Sequence, residues 1–375
     1  MEKQKVECLF LSEPDMIKAG VLDVKQCVNV MEETLRLLGE GDYVMGGPSS
    51  NSHGLMLWYP KESPFANMPL AGPDRRYMAM PAYLGGRFNI CGLKWYGSNI
   101  ANHSKGLPRS ILMTSLNDAE TGAPTAIFSA NLASAVRTGA VPGVAAKYMA
   151  ASGASELSVI GCGVINRACA RAILYGKPSI TTINVYDIIP AASERFISEL
   201  KQEYPEHTFI IADSVRASVA NADVISVAAS GKVDVEFEES WLKDGSLLIL
   251  SGHAGIADSF YLNNKVAFDF WGMHKAWMEE GLAHKDGIKS LESFIHSYQA
   301  LKMYNDGMLN EEYFFSLSDV VTGKAKIRDN KNDKVIFLAG GIPVEDIAWG
   351  YTVSQRAREM GLGQTLTLWD EAHWM

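Results

Sequence analysis

The glycine-containing segment Gly161-Cys-Gly163 separates a run of strand-forming residues from a run with helical character. Gly161 would form a tight turn, and Gly163 would allow the backbone to approach an anion closely. Free N–H groups and the positive dipole end at the start of the following helix favour a diphosphate there. Asn166 occupies the third fingerprint position, where Gly or Ala is usual. The pattern therefore predicts an anion-binding turn with a partial match to G-x-G-x-x-G.

The next predicted strand, residues 183–186, ends in an acid, Asp187. A carboxylate in this position accepts both ribose hydroxyls of an adenosine and repels a 2′-phosphate. The plainer interpretation makes Asp187 a cap for a helix that begins near Pro190. Strand, turn, helix, strand and acid in this order predict a dinucleotide site that favours NAD(H) over NADP(H). The cofactor contacts expected from this segment are Gly161, Gly163, Val164, Ile165, Asn166 and Asp187.

Three cations elsewhere could bind a carboxylate, and one of them could move a proton. Lys94 ends a predicted strand beside aromatic residues, where the plainer interpretation is a surface lysine, and Arg109 follows Gly-Leu-Pro. Arg137 lies among alanines on a helix that otherwise has a buried composition. An unpaired buried charge is costly, so Arg137 needs a partner. An internal salt bridge and a bidentate carboxylate ligand both satisfy that need.

A histidine follows a predicted strand of the nucleotide-binding segment. His253 lies in Ser-Gly-His-Ala-Gly, directly after the strand at 246–251. Ligands bind beyond the carboxyl ends of such strands, and a histidine there can exchange protons near neutral pH. A loop histidine with a satisfied hydrogen bond is the plainer interpretation. Ala229 and Ser230 follow the preceding strand and would line the same crevice, in contact with the ribose or nicotinamide.

Composition excludes several classes of function. The chain has 375 residues, 47% hydrophobic and 21% charged, with a net charge of −9. These values are typical of a soluble globular protein and argue against a nucleic-acid or anionic-membrane partner. The N-terminal residues do not resemble a signal peptide, and no apolar run is long enough to span a bilayer. Five cysteines without a C-x-x-C pair, and eight scattered histidines, predict a cytoplasmic protein with reduced thiols and no metal site.

The pattern of elements predicts an α/β protein with two domains. After a first strand and helices, residues 77–84, 87–95, 110–117 and 125–128 have strand character, which predicts a mostly antiparallel β domain. Residues 129–151 are rich in alanine and are predicted to form two helical segments broken near Gly139 and Pro142. Beyond residue 158, strands alternate with helices, which predicts a Rossmann-type doubly wound parallel sheet. Residues 42–74 are predicted to be irregular, and residues 271–315 to be a helical insertion.

Several motifs in register resemble the ornithine cyclodeaminase/μ-crystallin family. They are Lys94-Trp-Tyr-Gly-Ser-Asn, Gly106-Leu-Pro, Asp118-Ala-Glu-Thr-Gly, Ser134-Ala-Val-Arg-Thr-Gly-Ala, Val159-Ile-Gly-Cys-Gly and Leu317-Ser-Asp-Val-Val-Thr-Gly. The resemblance covers roughly residues 75–255 and resumes at 317–323 and 340–356. Within the family, the chain is most similar to the subset that carries the label of a tyramine oxidase subunit.

The resemblance implies a homodimer, joined through its N-terminal β domains, with an active site between the β domain and a nucleotide-binding domain. Residues 1–135 plus 340–375 would form the substrate-binding and dimerisation domain. Residues 136–339 would form the NAD-binding Rossmann domain, with the insertion at 271–315. Carried over by position, Lys94 and Arg137 would hold the substrate α-carboxylate, and Thr138 would lie near the cofactor.

Two departures from the family pattern affect the expected substrate. Ser251-Gly-His253 stands where cyclodeaminases carry Gly-Gly-Asp, so an aspartate that assists amine chemistry is replaced by an imidazole, and ornithine is disfavoured. Arg109 stands where a small hydroxyl residue is common, which implies a second anionic group on the substrate. A further family arginine that precedes Lys94 has only Arg75 or Arg76 as candidate counterparts.

The sequence thus predicts an NAD(H)-dependent oxidoreductase with hydride transfer at the α-carbon of an amino or imino acid. Lys94 and His253 are the predicted catalytic residues, and Lys94, Arg76, Arg109 and Arg137 the predicted substrate-binding residues. One alternative is a redox-neutral cyclodeaminase or lyase that releases ammonia and recycles NAD within the cycle. Another alternative is a non-catalytic, μ-crystallin-like nucleotide-binding protein.

Overall fold

A computed structural model describes residues 4–229 and 235–374 and divides them into two compact units. The first unit comprises the described residues up to Asp23, Gly41–Ser134, and those from Pro343 onward. The second comprises Val24–Glu40 and Ala135–Ile342. Residues 24–40 therefore fall in the second unit, whereas the sequence assigned them to the β domain.

The elements are numbered in chain order. The strands are β1 (Val6–Leu11), β2 (Tyr43–Met45), β3 (Leu55–Trp58), β4 (Arg76–Leu84), β5 (Ile90–Ser98), β6 (Ser110–Asp118), β7 (Pro124–Ser129), β8 (Glu156–Ile160), β9 (Thr182–Tyr186), β10 (Thr208–Ile211), β11 (Val224–Val227), β12 (Val235–Phe237), β13 (Leu247–Leu250), β14 (Ala254–Ile256), β15 (Lys265–Phe268), β16 (Phe314–Ser316), β17 (Val335–Leu338) and β18 (Gln364–Trp369). The α-helices are α1 (Glu13–Lys18), α2 (Val24–Glu40), α3 (Asn131–Met149), α4 (Val164–Gly176), α5 (Pro190–Glu203), α6 (Val215–Val219), α7 (Asp258–Asn263), α8 (Trp271–Ala283), α9 (Tyr298–Asn305), α10 (Leu317–Val321) and α11 (Pro343–Glu359).

The first unit is built on one sheet in the order β18-β1-β7-β6-β5-β4-β2, with β3 added against β4. All neighbours in it are antiparallel except β1 and β7. In the register Met80 faces Lys94, and Lys94 faces Thr114, so these three side chains share one side of the sheet. Helix α11 packs on this sheet, and a Cβ at Gly92 would lie 2.4 Å from the side chain of Ile347.

The second unit contains an entirely parallel sheet in the order β10-β9-β8-β11-β13-β17-β15-β16. Its central strands, such as Leu247–Leu250, are fully buried because helices cover both faces of a doubly wound sheet. Chain order runs outward from β8 to β10 on one side and through β11 and β13 on the other. The direction of winding therefore reverses at β8 and β11, and ligands bind at such a point, beyond the carboxyl ends of the strands.

Helix α3 differs from the sequence prediction. The alanine-rich segment forms one helix from Asn131 to Met149, with Pro142 inside it, and not two broken segments. Proline removes only the hydrogen bond that an N–H at 142 would donate to the carbonyl of Thr138. A Cβ at Gly139 would lie 2.4 Å from that of Ala168 on α4, so glycine lets the two helices approach closely. Tertiary packing thus maintains a helix that local propensity alone would interrupt.

The two regions of irregular or helical prediction carry short strands as well. The stretch predicted to be irregular, 42–74, contains β2 and β3, both paired with β4. The predicted helical insertion contains α8 and α9, but it also contributes β16, which forms the edge of the parallel sheet beside β15. Strands of three or four residues lack a usable sequence period, so the sequence did not reveal them.

Candidate functional site

The glycine turn lies at the carboxyl end of β8, as predicted. Gly161 has φ +85°, and a Cβ on it would lie 3.0 Å from the carbonyl oxygen of Ala228, so both conformation and space require glycine. Gly163 is the N-cap of α4, no side chain caps the helix, and a Cβ there would meet nothing within 4 Å. The first N–H groups of α4 therefore face open space, which suits an anionic ligand.

Asn166 fastens this turn to the sheet. Its side chain is completely buried, and its Nδ2 donates to the carbonyl oxygens of Ile160 at 2.8 Å and Gly161 at 2.7 Å. The hydroxyl of Ser226 on β11 donates to its Oδ1 at 2.7 Å. The amide thus replaces the close helix–strand contact of the usual small residue with hydrogen bonds to β8 and β11. A role for Asn166 in shaping the turn accounts for the partial fingerprint.

Asn166→Ala is expected to destabilise the second unit by about 2–3 kcal/mol, because it leaves buried partners of three hydrogen bonds unpaired. We also expect weaker NADH binding, since the turn loses its anchor. Urea unfolding and NADH fluorescence titration measure the two effects. Arg195→Ala, an exposed change on α5, is the control, and equal NADH affinity of Asn166→Ala and this control would contradict the anchoring role.

Asp187 lies directly after β9 and joins two loops. Its Oδ2 accepts the N–H of Cys162 at 2.7 Å, and its Oδ1 accepts the N–H of Ile189, the N-cap of α5, at 2.8 Å. The capping interpretation therefore describes part of its geometry, while the contact to Cys162 brings the acid beside the glycine turn. Ile188 is 72% exposed next to it and offers an apolar surface.

The thiols in this region are poor nucleophiles. Burial raises the pKa of Cys162 to about 11, although a hydrogen bond to Ser193 opposes this. Burial likewise raises the pKa of Cys169 to about 12. Both groups are therefore protonated near neutral pH, in line with the expectation that no thiol is catalytic.

Two further loops end at the same edge of the sheet. A Cβ at Gly252 would lie 2.9 Å from the carbonyl oxygen of Ala229, so the segments after β11 and β13 are in contact. Ala229 is half-buried there, and Ser230, the other predicted contact, lies outside the described residues. His253 is exposed after β13, and its ring centroid lies 6.1 Å from that of His296, with the rings perpendicular. His296 was not predicted from the sequence.

A buried polar network, also not predicted, lies after β15 and β17. Asp269 Oδ1 is 2.9 Å from His274 Nε2, and His274 Nδ1 is 2.8 Å from Ser297 Oγ. Burial by itself raises the pKa of Asp269, but the hydrogen bond and charge of His274 and the backbone N–H groups lower it overall. The order resembles a hydrolase triad, yet all three side chains are completely buried, so no substrate reaches Ser297.

Arg137 is 4% exposed on α3 and lies against the turn after β17. Gly341 has φ +78°, and a Cβ on it would lie 2.4 Å from Arg137 Nη1. Thr138, the next residue on the helix, is half-buried. The buried arginine expected from the sequence is thus present, with its guanidinium beside a backbone turn.

Lys94 is buried in the first unit rather than at the surface. It is 3% exposed, and its Nζ donates to Asp346 Oδ2 at 2.7 Å and to Ser134 Oγ at 3.4 Å. Ser134 lies on α3, one helical turn before Arg137. The plainer interpretation of a surface lysine is therefore wrong, and the sequence also missed its partner Asp346.

Two arginines of the first unit share one carboxylate. Asp74 Oδ1 pairs with Arg76, and its Oδ2 lies 3.3 Å from Arg109 Nε. The hydroxyl of Ser98 donates to the same Oδ2 at 2.7 Å. Arg76 lies over Tyr96, 5.7 Å from the ring centroid, whereas Arg109 remains 52% exposed. The structure therefore places Arg76 and Arg109 in one charged cluster.

Across the described ranges, no three His, Cys, Asp or Glu side chains are arranged to hold a metal ion. None of the helices within those ranges has the length and apolar character needed to cross a bilayer.

Comparison with known proteins gives a consistent result. The N-((2S)-2-amino-2-carboxyethyl)-L-glutamate dehydrogenase of Staphylococcus aureus is 28% identical over 97% of this chain and 99% of its own. An archaeal alanine dehydrogenase dimer with bound NAD has a TM-score of 0.76 at 23% identity, over 97% of this chain and 100% of that chain. The Thermococcus litoralis Δ1-pyrroline-2-carboxylate reductase, in complex with NADH and L-proline, has a TM-score of 0.74 at 22% identity, over 95% and 99%.

These structures confirm the predicted fold class, and the names of the relatives agree with the predicted class of reaction. The model of the ornithine cyclodeaminase/mu-crystallin family matches residues 21–361. The finer assignment to the subset labelled as a tyramine oxidase subunit stays a prediction. With a family match over most of its length, the chain belongs to the ornithine cyclodeaminase/mu-crystallin family.

Proposed function

We propose that the protein is an NAD(H)-dependent oxidoreductase acting at the α-carbon of an amino or imino acid. The observation that carries this proposal is the uncapped start of α4 after the Gly161–Gly163 turn, with Asp187 beside it. This arrangement lies at the carboxyl edge of a parallel sheet, at the point where its winding reverses. Such a position suits a dinucleotide.

The residues of the second unit fit the two chemically distinct parts of NAD. The N–H groups at the start of α4 would hold the diphosphate, and the open space at Gly163 leaves room for it. Asp187 would accept the ribose hydroxyls of the adenosine and repel a 2′-phosphate. Thr138, Val164, Ile165 and Ala229 are the further proposed contacts. The bound cofactor supplies or accepts the hydride, which no side chain can do.

The proposed substrate carries more than one carboxylate. Arg137 presents a planar fork of donors suited to the α-carboxylate, and Lys94 adds a second cation. The pair Arg76 and Arg109, held by Asp74, would bind a further carboxylate. The name of the Staphylococcus aureus relative, which describes an amino-carboxyethyl glutamate, supports a substrate of this class.

His253 is the proposed residue for proton exchange. It is exposed at the carboxyl edge of the sheet, and an imidazole changes charge near neutral pH. Lys94 is a weaker candidate for this role than the sequence suggested, because its Nζ already donates to Asp346. Its proposed function is therefore carboxylate binding.

Purified protein tests the proposal in two steps. NADH and NADPH titrations should show tighter binding of NADH. Turnover is then screened with L-alanine, L-glutamate and L-ornithine, and with pyruvate or 2-oxoglutarate in the presence of ammonia or L-2,3-diaminopropionate, with ammonia release assayed in parallel. A net change in nicotinamide redox state is the expected result. Ammonia release without that change would indicate a lyase, and NADH binding without turnover would indicate a nucleotide-binding protein.

We further propose a homodimer formed through the first unit. Leu55, Leu57 and Trp58 on β3 and Phe65 after it are more than half exposed, which is unusual for a monomer surface. Light scattering after size exclusion should give a mass close to twice 41.0 kDa. A cytoplasmic location stays a prediction from the sequence.

A further inference from the structure

Three residues after β17, Ala339 to Gly341, form a turn that side chains of the insertion hold on both polar sides. Asp269 Oδ2 accepts the N–H of Gly340 at 2.6 Å and the N–H of Gly341 at 2.7 Å. On the opposite side, His296 Nε2 donates to the carbonyl oxygen of Ala339. A carbonyl can only accept, so this contact fixes the proton of the imidazole on Nε2.

The carboxylate that grips the turn is itself fixed. Its Oδ1 accepts the N–H of Phe270 at 2.8 Å and contacts His274, whose other nitrogen contacts Ser297. Helix α8 packs closely on the turn, since a Cβ at Gly340 would lie 2.6 Å from Met273 Cε. Contacts at both oxygens therefore hold the Asp269 carboxylate in one orientation, and the turn has one favoured position.

The same turn forms a wall beside Arg137. A Cβ at Gly341 would lie 2.4 Å from Arg137 Nη1 and 3.4 Å from both Cζ and Nη2, so the guanidinium lies flat against the glycine. Any shift of the turn by a few tenths of an ångström must move the guanidinium. Because a bidentate contact to a carboxylate depends on orientation, the position of the turn sets the binding geometry.

We propose that Asp269 and His296 are positioning residues, which hold the Ala339–Gly341 turn against Arg137 and thereby orient its guanidinium toward the substrate carboxylate. The insertion at 271–315, with the aspartate directly before it, then serves carboxylate recognition from behind the arginine. This inference rests on the proposed function, in which Arg137 binds the carboxylate.

The test uses steady-state kinetics of the full chain with NADH and the compound of highest turnover in the screen above. Asp269→Asn replaces one acceptor oxygen at the turn by an amide NH₂, and His296→Ala removes the donor to Ala339. Each is expected to lower kcat/KM by roughly tenfold to a hundredfold, mainly through a higher KM. His296→Gln, which keeps an N–H donor, should recover most of the loss. NADH affinity should stay within about twofold of the wild-type value, because the contacts that hold this turn do not include the proposed cofactor residues.

A double-mutant cycle separates positioning from general damage. If His296 acts through Arg137, then Arg137→Ala/His296→Ala should have the same kcat/KM as Arg137→Ala alone, within about twofold. Asp306→Asn, an exposed carboxylate paired with Lys302 in the same insertion, is the matched control and should behave as wild type. The cycle depends on His296, so it remains informative even if Asp269→Asn does not fold.

The outcomes distinguish this inference from the proposed function. A normal KM for His296→Ala with a raised KM for Arg137→Ala would overturn the positioning role and leave the proposed function intact. Additive effects in the cycle would do the same. A normal KM for Arg137→Ala, or no turnover with any compound of the screen, would overturn the proposed function together with this inference.

Discussion

Arg137→Ala is expected to lower kcat/KM for a carboxylate-bearing substrate by about 10²–10³-fold. Two charge-assisted hydrogen bonds from the guanidinium to a carboxylate contribute roughly 3–4 kcal/mol together, and each 1.4 kcal/mol is about tenfold. The guanidinium is buried beside Gly341, so solvent cannot replace it efficiently. Steady-state kinetics over a range of substrate concentration measure the change, and the larger part should be in KM.

Two further variants define what the result means. Arg137→Lys retains the charge but not the fork, and is expected to lose about tenfold, because an ammonium cannot form the bidentate contact. Arg195→Ala, the exposed change on α5, should leave the kinetics unchanged. An Arg137→Ala protein that loses NADH affinity and substrate affinity in equal measure would instead indicate that Arg137 is only a structural ion-pair partner.

The parts of the molecule that could be predicted from the sequence are local. The segment from β8 through the glycine turn and α4 to Asp187 was predicted because consecutive residues decide each step: buried strand, turn, helix start and terminal acid. Helix α6 and strand β10 were predicted with the bounds found in the structure, since capping and turn residues flank them closely. The motif resemblance supplied the family.

The contacts missed from the sequence join residues far apart along the chain. Lys94 and Asp346 are 252 positions apart, and Asp269 reaches Gly340 across 71 positions. Sequence spacing carries no information on such pairs when only one sequence is read. A signal was nevertheless present: an acid between Phe268 and Phe270 at a strand end, and another beside Ile347 in a buried helix, are unusual enough to demand partners.

Asp346→Asn is expected to have the largest effect on stability, with a loss of about 3–5 kcal/mol, because it leaves the buried ammonium of Lys94 without its counter-charge. Both side chains are at most 4% exposed, and their 2.7 Å contact ties α11 to β5 in the first unit. The aspartate also lies in the first turn of α11, where a negative charge interacts favourably with the helix dipole. Urea unfolding followed by tryptophan fluorescence measures the loss.

A paired substitution determines whether charge or packing is responsible for that loss. Lys94→Met/Asp346→Leu removes both charges while keeping similar volume, and replacing a buried ion pair by apolar groups is often neutral or stabilising. We therefore expect the double variant to unfold at a higher urea concentration than Asp346→Asn, although turnover is lost with the Lys94 ammonium. Asp329→Asn, which breaks the exposed pair with Lys265, should not shift the midpoint measurably. If the double variant were no more stable than Asp346→Asn, the stabilising element would be the shape of the two side chains, and Lys94 would not require Asp346 as a counter-charge.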